Sequence, residues 1–194
     1  LVLISKAKAN FALRNNYFEL IILIFIVGYA LLSLGPVTSA DSLDYHIGVP
    51  IEILNSGAIY NTPEWFHSRL SGSGEVLNAL GLSVGAEQFG SLLQFIALIG
   101  IIGLILDSER KDKKKFTRDR ELTNILATLI LSTPVIIFLV SSSKFQLLPV
   151  SMTSLALCLI VFPSRRNLSS SETIKGFFLV CILVMVASQT KLHY

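Results

Sequence analysis

Asp41, Asp44, Tyr45 and His46 crowd into the stretch Asp41-Ser-Leu-Asp44-Tyr45-His46, directly behind the apolar run of residues 17–37. Two neighbouring carboxylates can share a proton, hold a divalent cation, or divide base and stabilising roles, which equips them to activate a hydroxyl acceptor. If the segment is an α-helix, residues three and four apart share a face, so Asp41, Asp44 and Tyr45 group together and His46 points elsewhere. The same acids would also suit the N-terminal end of a helix lying on a membrane, where the helix dipole favours negative charge. In either reading, ionisable groups at the mouth of an apolar segment are costly to keep, so the cluster is the first candidate for chemistry.

The surrounding stretch, residues 38–87, is acidic and aromatic. It carries Glu52, Glu64, Glu75 and Glu87 beside Asp41 and Asp44, against the single cation Arg69, and adds His67, Tyr60 and Trp65. His46 and His67 lack the tight spacing of metal ligands and read as hydrogen-bonded structural residues. A second polar turn, Ser141-Ser-Ser-Lys144-Phe-Gln146, contributes another cation. Lys144 could reach a phosphate, or it could snorkel its ammonium to a membrane surface. Cys158 and Cys181 lie inside apolar runs and read as small buried or lipid-facing side chains.

Helices must position these groups. Ile47, Ile51 and Leu54 recur at helical spacing, as do Val76, Leu77, Leu80 and Val84, which predicts two amphipathic helices along a membrane interface. Pro50 removes a helical hydrogen bond, so the first should kink there or begin afresh, and Asn55-Ser-Gly57 should end it. Gly72-Ser-Gly74 should open the second, with Ser71 or Ser73 capping its free amides.

Composition sets the class. Of 194 residues 52% are hydrophobic and only 15% charged, and the mean hydropathy is +0.67. This is the profile of a polytopic membrane protein. About five spans are expected, near residues 17–37, 88–106, 122–140, 147–162 and 176–188. Lys6, Lys8 and Arg14 precede the first, the lysine-rich stretch 107–121 follows the second, and Arg165, Arg166 and Lys175 separate the last two. The positive-inside rule then places the N-terminus in the cytoplasm and residues 38–87 outside. The net charge of +3 is confined to those cytoplasmic loops, which excludes a nucleic-acid partner and leaves membrane lipids. The chain opens on Leu1 and stops as the fifth span emerges, which is expected of the N-terminal part of a longer protein with residues 1–194 in one transmembrane domain.

A first span that ends in Ala40-Asp41, a Tyr45-His46 pair, an amphipathic helix closing at Gly57 and a second interfacial helix leading into span two resembles the GT-C glycosyltransferases. More narrowly, it is similar to the polyprenyl-phosphate-sugar-dependent relatives of protein mannosyltransferase and aminoarabinose transferase. Their first outer loop carries Asp-Glu followed three residues later by Tyr; Asp41 and Tyr45 match, and Ser42 departs from the second acid, with Asp44 a candidate substitute. Trp65-Phe-His67-Ser-Arg69, Gly74-Glu75 and the turn around Lys144 extend the resemblance.

The resemblance implies an inverting transferase of the bacterial inner membrane that takes a sugar from a lipid-phosphate carrier on the outer face. It implies catalytic roles for Asp41 and Asp44, which could also hold a divalent cation, and substrate contacts from Tyr45, His46, His67, Arg69, Glu75 and Lys144. Arg69 and Lys144, with Lys191, are the cations that a carrier phosphate would need on that side. Sugar and acceptor stay undefined. A secondary transporter using Asp41 or Asp44 as a proton or cation site is the alternative, and the scarcity of ionisable residues within the spans weighs against it.

Overall fold

A long apolar run can leave water only if every backbone N–H and C=O finds a partner within the run, and the helix is the local structure that achieves this. The computed structural model describes residues 2–59, 72–107, 116–161 and 170–190, and among these every regular element is helical. The long helices are α1 (Val2–Ser33), α4 (Phe89–Asp107), α5 (Phe116–Leu131), α7 (Leu147–Val161) and α8 (Ser170–Gln189). Three short ones, α2 (Gly48–Ser56), α3 (Ser73–Ser83) and α6 (Pro134–Val140), and a π-helical turn, Ser42–Ile47, complete the set. The all-α class expected from the sequence is what the chain adopts. Among the described residues, helix α4 alone is long and apolar enough to cross a membrane unaided, and α5 with α6 passes as a pair bent by 63°.

That bend divides the expected span over residues 122–140 into two helices. Pro134 has no N–H to donate, and its ring pushes Thr133 out of the helical region to φ −73°, ψ 134°. Pro134 then starts α6 at a position where a missing donor is harmless. The last carbonyls of α5 lose their helical partners, and each is satisfied by a hydroxyl. Ser132 Oγ donates to the Leu129 carbonyl at 3.0 Å, Thr133 Oγ1 to that of Ile130 at 2.8 Å, and Tyr29 Oη, reaching across from α1, to that of Leu131.

Helix α1 packs against α4, α5 and α6, and α4 against α7, which in turn carries α8. Leu98, Ile102, Leu131 and Val140 are wholly buried where these helices meet. Towards the other end of the bundle, Arg120 of α5 pairs with Glu19 of α1. Apolar side chains also cover the outer faces, among them Leu23, Ile24 and Val27 on α1, Ile96 on α4, and Phe177, Phe178, Ile182 and Met185 on α8.

The short helices follow their sequence signals. Helix α2 begins afresh just before Pro50, which sits in its first turn, and it stops at Gly57, whose φ of 69° is the left-handed conformation that glycine adopts without penalty. Ile51, Leu54, Val76, Leu80 and Val84, the expected apolar stripes of α2 and α3, face outward, while Glu75 and Asn78 of α3 are buried. Ser73 Oγ, at the start of α3, donates to the Gln189 carbonyl at the end of α8.

Tyr29→Phe should leave the buried Leu131 carbonyl without its donor and cost about 1–3 kcal/mol. The check is the melting temperature in detergent, which should fall clearly below wild type.

Candidate functional site

The π-helical turn decides which side chains of the acidic cluster look inward. Its hydrogen bonds close over five residues instead of four, so each turn holds one residue more and the α-helical grouping of faces no longer applies. Asp41 and Asp44 are exposed, Tyr45 is half-buried, and Ser42 and His46 are buried. The Tyr45 ring lies against that of His46, with centroids 4.3 Å apart.

His46 Nδ1 lies 3.0 Å from Glu75 Oε1, and both side chains are nearly sealed, at 11% and 7% exposure. The other carboxylate oxygen, Glu75 Oε2, accepts the Gly72 backbone N–H at 2.7 Å. Glu75 is the third residue of α3, where a carboxylate can reach back to an unpaired amide. It thus does the capping expected of Ser71 or Ser73: Ser73 is turned to Gln189, and Ser71 lies outside the described residues.

One turn along α3, the Asn78 amide donates to the His46 carbonyl at 2.9 Å and to the Ser143 carbonyl at 3.2 Å. It joins the π-helical turn, α3 and the turn before α7. The fit needs a glycine on α4: a Cβ at Gly90 would overlap Asn78 Oδ1 and come within 3.0 Å of Ser143 Cβ. A turn further on, the buried Gln94 accepts the free Leu147 and Leu148 amides at 2.8 and 3.2 Å, capping α7. Ser42 Oγ, Ser91 Oγ, Gln94 Nε2, Asn124 Nδ2 and Ser143 Oγ are the buried polar atoms left without a partner among the described residues.

Next to Ser143, Lys144 stretches to Asp41 and forms an ion pair with it, its ammonium 4.7 Å from the centre of the Phe138 ring. Asp41 is half exposed and Lys144 mostly covered. The acid at the exit of the first long helix and the cation before α7 are therefore brought together. His67, Arg69 and Lys191 lie outside the described residues. Among the described residues no three His, Cys, Asp or Glu side chains are grouped to hold a metal ion. Between α7 and α8 runs an open, apolar groove of ≈ 590 Å³, lined by Gln146, Pro149, Val150, Thr153, Val184, Ala187 and Ser188.

Asn78 and Gln94 were not among the expected site residues. Each is the one amide side chain of its helix and lies on a buried face, and that was the available signal: a buried polar side chain must find partners.

The chain is thus an all-helical protein with buried amides and paired charges gathered at one end of its apolar helices. It belongs to the family described as the DUF1420 N-terminal domain, which it matches over residues 2–194. No curated protein and no solved structure matches it.

Gly90→Ala should force Asn78 and Ser143 apart and destabilise the fold by about 1–3 kcal/mol. Gly103→Ala, where nothing lies within 4 Å of the added carbon, is the matched control and should melt no lower than wild type.

Proposed function

We propose that the chain forms a five-span membrane domain, with its N-terminus in the cytoplasm and residues 38–87 outside, and that it acts as a glycosyltransferase on a polyprenyl-phosphate-linked sugar donor. The observation that carries this reading is the contact between Asp41 and Lys144, which come from segments about a hundred residues apart. Transfer to a hydroxyl needs a carboxylate to orient the acceptor or take its proton, and a cation to stabilise the departing lipid phosphate. The pair supplies one of each at the same place. A donor phosphate arriving there would compete for the Lys144 ammonium and release the Asp41 carboxylate towards the acceptor.

Two further features support it. The outward apolar faces of α1, α4 and α8, and of the short helices α2 and α3, suit contact with lipid, since apolar surface of that extent is rare against water. The groove between α7 and α8 begins at Gln146, two residues from Lys144, and its apolar walls suit an isoprenoid chain whose phosphate lies at the ammonium.

The topology is checked by labelling single cysteines in a background with Cys158 and Cys181 replaced by serine. A cysteine at Ser83 should react with an impermeant thiol reagent in intact cells, and one at Lys114 should react only after lysis. The reverse pattern rejects the orientation and with it an outer-face donor site.

Asp41→Asn keeps the shape of the side chain but removes its charge and its ability to accept a proton. Sugar transfer by the intact protein should fall by about 10²-fold or more with melting unchanged. A wild-type rate in this variant would remove Asp41 from the reaction.

A further inference from the structure

We propose that His46 and Glu75 form a proton-accepting dyad, in which imidazole Nε2 takes the proton of the acceptor hydroxyl and Glu75 holds the ring. The inference rests on the sugar-transfer reading for its substrate class, a hydroxyl-bearing acceptor; the state of the ring follows from geometry alone.

An ionised carboxylate can only accept hydrogen bonds. With Glu75 Oε1 3.0 Å from Nδ1, the neutral ring carries its proton on Nδ1 and presents Nε2 as a lone pair. Glu75 is fixed in turn, because its second oxygen is engaged by the Gly72 amide at 2.7 Å. The backbone carbonyl of His46 accepts from the Asn78 amide at 2.9 Å, which fixes the main chain that carries the ring. Among the described residues Nε2 has no hydrogen-bond partner, and it is not one of the buried polar atoms left unsatisfied there. The His46 side chain keeps 11% of its surface exposed, and the Tyr45 ring lies tilted beside it with centroids 4.3 Å apart.

Asp41 is less suited to the proton. One of its carboxylate oxygens rests against the Lys144 ammonium until a donor phosphate draws that cation away, which leaves the carboxylate to orient the acceptor. The roles divide. Asp41 orients the acceptor, Lys144 meets the phosphate, and the dyad takes the proton. The acceptor O–H bond breaks as its oxygen bonds to the anomeric carbon of the sugar, and the proton passes to Nε2. The bond from that carbon to the carrier phosphate breaks, and its electron pair leaves with the polyprenyl phosphate. The imidazolium then gives the Nε2 proton to water, which restores the starting tautomer.

A purely structural clamp between the π-helical turn and α3 would show the same contact, so the test needs readouts that a clamp does not move. The intact protein is placed in lipid nanodiscs with every histidine except His46, including His67 and His193, replaced by glutamine. Nitrogen-15 NMR of the remaining histidine should show a protonated Nδ1 and a bare Nε2. Transfer from a polyprenyl-phosphate-linked hexose to a panel of hydroxyl peptides and lipid-linked saccharides is measured in parallel. In His46→Gln, kcat should fall about 10²-fold with the donor KM unchanged; in Glu75→Gln it should fall less. A ring protonated on Nε2, or a wild-type kcat in His46→Gln, overturns the dyad while leaving the transferase reading in place. Absence of transfer by the wild-type protein overturns the transferase reading and the hydroxyl-proton role together. Should His46→Gln fail to fold, Glu75→Gln decides the matter: a wild-type kcat in that variant, folded and with His46 intact, overturns the dyad.

Discussion

Asn78 is buried and carries an amide that must be satisfied from within the protein. Sealed from water, an unpaired amide would cost several times what a single ordinary hydrogen bond contributes. Its two acceptors are the carbonyls of His46 and Ser143, which lie 32 and 65 residues away along the chain. Meeting that one requirement brings three segments to one place. It also dictates a glycine at position 90, because any larger residue on α4 would occupy the space that the amide and Ser143 need.

The charged groups inherit their positions from this arrangement. Ser143 precedes Lys144, and Asp41 directly precedes the π-helical turn that ends just beyond His46, so fixing the two carbonyls also fixes the ion pair. Glu75 lies one helical turn before Asn78, which sets its carboxylate against His46 while its other oxygen caps α3. Gln94 extends the same solution along α4 by closing the start of α7. The paired members of such a buried network make one arrangement more favourable than its neighbours, although Ser42 Oγ, Ser91 Oγ, Gln94 Nε2 and Ser143 Oγ have no partner among the described residues. A rigid platform of that sort is what a reaction requiring an acid, a cation and a base at fixed separation would demand.

Much of the scaffold could be read from residue order. The apolar runs marked the long helices, Gly57 marked the end of α2, and Pro50 marked its fresh start, because each signal is local and has a single backbone consequence. Pro134 carried an equally clear signal of a break, which a span read from hydropathy over residues 122–140 does not register. The π-helical turn was beyond reach. Six residues are too few for a sequence period to tell α from π, and the turn packs against both α2 and α3. The pairing of Asp41 with Lys144 was likewise hidden, since sequence supplied both charges but not the turn that joins them. Glu75 was noted for its neighbours in sequence, whereas its partnership with His46 depends on how α3 packs against the π-helical turn.

Turnover of a lipid-linked sugar is the property on which the proposed role of the platform depends. The direct measurement follows the fate of a polyprenyl-phosphate-linked hexose, labelled in the sugar, added to the intact protein in sealed vesicles, with analysis of both products. The predicted result is release of polyprenyl phosphate together with a glycoside of inverted anomeric configuration, formed on the face of the membrane that bears residues 38–87. Donor that remains unconsumed, in vesicles where the same protein drives a proton-coupled or cation-coupled solute flux, would contradict the transferase and favour a transporter.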